Sequence, residues 1–70
     1  MDIKQAKALR PGARVSFPED RGVPSGQGRV VAVNPATHTT HNGQEYVWVE
    51  VYMYTQQHAV LWPSNRLAAS

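Results

Sequence analysis

The sequence predicts one small all-β domain, a five-stranded barrel preceded by a short helix and interrupted by a one-turn 3₁₀ break before its last strand. Three observations carry that expectation. Residues Tyr46 to Tyr54 (YVWVEVYMY) alternate cleanly, with Val47, Val49, Val51 and Met53 on one face and Tyr46, Trp48, Glu50, Tyr52 and Tyr54 on the other, which is the period of a strand with one buried face. Shorter β-branched runs lie on either side of it. Glycine and proline separate these runs at intervals too short for helices of ordinary length.

Taken in order, residues 2–9 (DIKQAKAL) place Ile3, Ala6 and Leu9 three apart behind Asp2, a residue suited to capping a first turn. The run stops at Pro11-Gly12. So short a helix forms only if Ile3 and Leu9 dock on the rest of the domain, and otherwise residues 1–10 are a basic tail. Ala13 to Phe17 alternates as a first strand with Val15 and Phe17 inward. Pro18 to Gly28 (PEDRGVPSGQG) has the composition of a long mobile loop. Arg29 to Val33 is a second strand, whose adjacent Val30 and Val31 predict a bulge or burial on both faces. Asn42-Gly43 predicts a tight turn that pairs this strand with Tyr46 to Tyr54 as a hairpin. Thr55-Gln56-Gln57 turns the chain into a fourth strand, His58 to Trp62. Pro63-Ser64-Asn65 supplies the 3₁₀ turn before Arg66-Leu67 closes the barrel.

Seventy residues make room for one domain, 1–70, with a thin core. Its expected members are Leu9, Val15, Phe17, Val30, Val33, Val47, Val49, Val51, Met53, Leu61 and Leu67. The chain has no cysteine, so neither a disulfide framework nor a thiolate metal cluster is available and a reducing compartment suits it. With no apolar run of membrane-spanning length and no apolar stretch behind Asp2, Lys4 and Lys7, the expectation is a soluble cytoplasmic protein. The formal charge is +2 and the pI near 9.4, with Lys4, Lys7, Arg10 and Arg14 crowded at the start. That balance permits nucleic acid without requiring it.

Four segments carry a family resemblance: Leu9-x-x-Gly12-x-x-Val15, Gly26-x-Gly28-x-Val30-Val31-x-Val33, Tyr46-Val47-x-Val49-x-Val51, and Trp62-Pro63-x-x-x-Leu67. Spread over nearly the whole chain, they resemble an SH3-like barrel of the Tudor or KOW kind. They are similar to the RNA-polymerase-interacting domain of the CarD and transcription-repair coupling factor family. The resemblance implies a barrel and, through it, an interaction module. The type II dihydrofolate reductase, another small barrel, resembles the chain in its Gly-x-Arg-Val stretch. However, its Val-Gln-Ile-Tyr substrate segment is matched here by Ala59-Val60-Leu61-Trp62, without the glutamine and tyrosine that meet substrate.

The candidate site is the aromatic face of the long strand, because large rings opposite a valine face leave apolar area for something to cover. The cover is the N-terminal helix or a symmetric copy, a nucleic acid stacked on the rings with Arg14, Arg29 and Arg66 on phosphates, or a protein partner. Glu50 among the rings repels a phosphate track and fits a protein surface better. An aromatic cage for a cationic side chain is disfavoured, since cages are built from loop ends. Trp62 either borders a peptide groove or caps the core. His38, His41 and His58 have weak metal spacing and no cysteine beside them, and Ser16, Ser25 and Ser64 lack His and Asp partners in a shared motif. The Gly22 to Gly28 loop lacks the lysine of a phosphate loop. The sequence therefore predicts no enzyme, no cofactor and no metal. It predicts a small accessory or regulatory module binding a protein through Tyr46, Trp48, Glu50, Tyr52, Tyr54 and Trp62. The alternatives are a nucleic-acid-binding barrel, a homo-oligomeric structural protein joined through the aromatic face, and an oligomeric reductase-like enzyme.

Overall fold

A computed structural model describes residues 1–70. The elements in chain order are helix α1 (Ile3–Lys7), strands β1 (Arg14–Phe17), β2 (Gly26–Val33), β3 (His38–Thr39), β4 (Glu45–Tyr46), β5 (Trp48–Met53) and β6 (His58–Pro63), a 3₁₀ turn (Ser64–Arg66), and β7 (Ala68–Ala69). Five strands form an antiparallel sheet in the order β6-β5-β2-β1-β7, and β3 and β4 form a separate two-stranded ribbon.

The SH3-like barrel that the sequence resembles is not formed, and the resemblance to Tudor, KOW and CarD-type domains falls with it. Strands β6 and β7 are the two edges of an open sheet, and no ladder joins them. The last strand pairs on one side only. β7 has two residues, which pair only with Val15 and Ser16 of β1, and Arg66-Leu67 does not itself extend a strand. Side chains span the distance instead: Phe17 of β1 stacks on Trp62 of β6, with ring centroids 5.3 Å apart and planes 22° from parallel.

The valine face is the core. Val15, Phe17, Val30, Val49, Val51, Met53 and Trp62 from the sheet, with Ala6, Val47 and Leu67, form one buried cluster. Helix α1 lies against this cluster through Ala6, with Met1, Ile3 and Leu9 partly buried beside it. Its first turn is closed by a reciprocal cap: the Asp2 carboxylate accepts from the Gln5 N–H at 2.8 Å, and the Asp2 N–H donates to the Gln5 side chain. The Met1 amino group donates to the Leu67 carbonyl at 2.8 Å, which ties this segment to the far end of the core.

Other expectations shift in detail. The loop after β1 is shorter than Pro18 to Gly28, because β2 begins at Gly26. What remains holds a tight turn in which Asp20 and Val23 exchange backbone hydrogen bonds at 3.0 and 2.8 Å. Arg21 and Gly22 occupy left-handed conformations at its centre. Gly28 enters the strand because β2 and β5 approach closely there: a Cβ would collide with the Tyr52 carbonyl and lie 2.7 Å from Val51 Cγ1. The Val30/Val31 irregularity is a bulge. Val30 faces Val51 and Ala32 faces Glu50, leaving Val31 unpaired and exposed, so that Val30 and Val33 both turn toward the valine face.

The Asn42-Gly43 turn does not join β2 directly to the long strand. It closes the ribbon β3–β4, with the Thr40 N–H donating to Gln44 and the Gly43 N–H to Thr40, both at 2.9 Å. The long strand is accordingly broken at Val47 into β4 and β5.

Candidate functional site

The outer face of the sheet is built from the side chains that alternate with the core. Cross-strand register fixes its rows: Arg14, Arg29, Tyr52 and Ala59 across β1, β2, β5 and β6; Ala32, Glu50 and Leu61 across β2, β5 and β6; and Trp48 beside Pro63. Val49, Val51 and Met53 are buried while Trp48, Glu50 and Tyr52 are half-buried, so the expected division of the strand into a valine face and an aromatic face is observed.

The rings do not form one stripe. Breaking the strand at Val47 sends Tyr46 into the ribbon, where it stacks on His38 with centroids 5.5 Å apart and meets the Trp48 edge at 5.6 Å. Tyr52 and Tyr54 form a second pair, edge to face at 6.3 Å. Glu50 lies between the two groups. The Arg29 guanidinium sits over the Tyr52 ring at 4.6 Å, a cation–π arrangement that holds both side chains. Helix α1 does not cover this face: it packs on the core cluster, and Trp48 and Tyr52 stay half-open.

Trp62 stands apart from the other candidates. It is only 5% exposed and belongs to the core, facing Val49 in register, so it caps the core from within. Leu61, expected inside, is 61% exposed. Consecutive apolar residues Ala59 to Trp62 gave no alternation from which to choose the inward pair. The register with β5 decides it, because Leu61 faces Glu50 and Trp62 faces Val49. Arg66 is exposed on the 3₁₀ turn, away from Arg14 and Arg29, and lines a shallow cavity with Asp20, Trp48 and Leu61.

A smaller cavity of about 200 Å³ lies between the Asp20–Val23 turn and β6, lined by Val23, Met53, Val60 and Trp62 with Asp20 and His58 at its polar margin. The Trp62 Nε1 donor is buried and has no acceptor. The histidines occupy separate settings: His38 on the Tyr46 ring, His41 exposed, and His58 with Nδ1 3.0 Å from the Gln56 carbonyl. No group of three His, Asp or Glu side chains is gathered to hold a metal ion. Ser64 is fully buried, and its hydroxyl accepts the Val47 N–H at 3.0 Å. That structural role was invisible in the sequence, where Ser64 and Val47 are merely seventeen residues apart.

No family model matches the chain, and no curated protein or solved structure matches it. No helix is long and apolar enough to cross a membrane.

Proposed function

We propose that the protein is a non-catalytic interaction module that binds another protein through the outer face of its sheet. One observation carries the reading: Leu61 is 61% exposed on the edge strand, at the end of a row in which Glu50 stands between it and Ala32, with Trp48 and Tyr52 half-buried on either side of Glu50. An exposed leucine and two aromatic rings gathered around a single carboxylate make up the mixed apolar and polar composition of a protein contact surface. Arg29, braced on Tyr52, adds an oriented donor at its margin. The cysteine-free sequence suits a cytoplasmic setting.

The test is a photo-crosslinker placed at position 61 in the native host, with the same group at Gln57 in the β5–β6 turn as reference. A discrete heteromeric adduct from position 61, competed by the unlabelled protein and lost with Trp48→Ala, is expected. An adduct consisting of two copies of the chain would replace the reading with self-association. No adduct above that from position 57 would remove it.

A further inference from the structure

We infer that the Arg14–Arg29–Tyr52–Tyr54 quarter of the outer face is a binding site for single-stranded nucleic acid. This goes beyond the protein-binding reading: the two share Arg29 and Tyr52 at their border, but this site extends away from Leu61 toward Arg14 and does not need Trp48 or Leu61.

The first observation is that Arg14 and Arg29 are directly opposite each other on β1 and β2, and both are exposed. Residues so paired have Cβ atoms about 5 Å apart, and like charges in that position oppose folding. Neither guanidinium has a carboxylate within salt-bridge distance. Two unneutralised cations paired across neighbouring strands make a seat for an anion that both can reach, and a phosphodiester meets the donor geometry of two guanidinium groups.

The second observation selects nucleic acid over other anions. The same row continues into Tyr52, whose ring carries the Arg29 guanidinium at 4.6 Å. Tyr54, 40% exposed, stands edge-on to Tyr52. Rings beside a phosphate seat supply surfaces on which unpaired bases stack. An acidic peptide would satisfy the arginines but would leave the tyrosines unused. A duplex keeps its bases stacked on one another and would likewise leave them unused. Ser16 and Gln27, paired in the next row, extend the patch with neutral polar groups. Glu50 limits it, so the site accommodates one or two nucleotides rather than a long track.

The experiment is fluorescence anisotropy with a labelled 12-nucleotide oligothymidylate, its duplex with oligoadenylate, and an oligoglutamate of similar charge, each at several salt concentrations. The single strand is expected to bind best, with log K falling against log[salt] at a slope of about −1.4, as two single-strand phosphate contacts dictate. Tyr52→Ala and Arg29→Ala should each weaken binding roughly tenfold, whereas Tyr52→Phe, which keeps the stacking surface, should retain it. Unfolding midpoints of all variants establish that they are folded. Tighter binding of oligoglutamate or duplex, no binding at low salt, or binding indifferent to Tyr52→Ala but abolished by Lys4→Ala with Lys7→Ala, would overturn the assignment.

Discussion

Val47 and Ser64 are joined twice: the Val47 N–H donates to the Ser64 hydroxyl at 3.0 Å, and the Ser64 N–H donates to the Val47 carbonyl at 2.9 Å. This clamp sits where the long alternating segment breaks into β4 and β5. The break would otherwise leave a fully buried residue with unmet backbone groups. Ser64→Ala removes the hydroxyl and orphans the Val47 N–H, which should cost about 1–3 kcal/mol. Urea unfolding measures the loss, and hydrogen exchange should show the Val47 amide losing protection. An unchanged midpoint would mean that water takes over the acceptor role.

The three glycines Gly28, Gly26 and Gly12 should differ in their tolerance of alanine. At Gly28 the new methyl meets the Tyr52 carbonyl and Val51, at Gly26 it comes 3.1 Å from the edge of the Phe17 ring, and at Gly12 it meets open space but a φ of 93°. Gly28→Ala is expected to lose about 3 kcal/mol or more because backbone must move. Gly12→Ala should lose about 1–2 kcal/mol through strain alone. Denaturation midpoints rank them, and a tolerant position 28 would contradict the close approach of β2 to β5.

Leu61 and Met53 were both expected inside, and only Met53 is. Met53 is 2% exposed and Leu61 61%. Met53→Ala should therefore cost about 2–5 kcal/mol, while Leu61→Ala stays within about 0.5 kcal/mol of the parent. Thermal unfolding compares them directly, and a Leu61 loss matching that of Met53 would place the leucine inside.

The two tryptophans should report different environments. With Trp48→Phe, emission comes from Trp62 alone, which is buried and stacked on Phe17, so a blue-shifted band resistant to iodide is expected. The parent protein, with half-buried Trp48, should be quenched more. Equal quenching would show that Trp62 is open to solvent.

Strand β6, an edge of the sheet, contains no charged side chain in the run His58–Pro63. Uncharged edges invite pairing with other chains. Ala59→Lys, at an exposed position on that strand, should slow aggregation at high concentration, as light scattering would show. Aggregation at the parental rate would indicate that another surface controls it.

The alternation in Tyr46 to Tyr54 made the two faces of β5 legible, because period-two patterning is local. An irregularity at Val30-Val31 was visible too, but the sequence left a bulge and burial on both faces open, and only the register with β5 and the exposure of Val31 decide for the bulge. What the sequence could not show depended on distant partners. Leu61 and Trp62 are both apolar, and only the pairing with Glu50 and Val49 separates them. The Asn42-Gly43 turn was evident, but which strands it joined was not, because the two-residue strands β3 and β4 carry no pattern of their own. Barrel closure failed for a related reason. Arg66-Leu67 was expected to close the barrel, but Arg66 belongs to the 3₁₀ turn, Leu67 packs in the core, and the strand that follows pairs with β1 alone, a choice of partner that no local pattern shows. Trp48, Glu50 and Tyr52 alternate with the buried valines and Met53 as the pattern predicts, but the separation of Tyr46 from them follows from the break at Val47.

The buried cluster takes Ala6 from near the start of the chain and Leu67 from near its end, and β1 finds its second neighbour only in Ala68–Ala69. The core therefore has an order of assembly in time. A nascent chain that has exposed α1, β1 and β2 holds valines with nothing to close over them, and no early fragment owns a complete set of contacts. The contacts that complete the core join residues remote in sequence, which is the topology associated with slower folding.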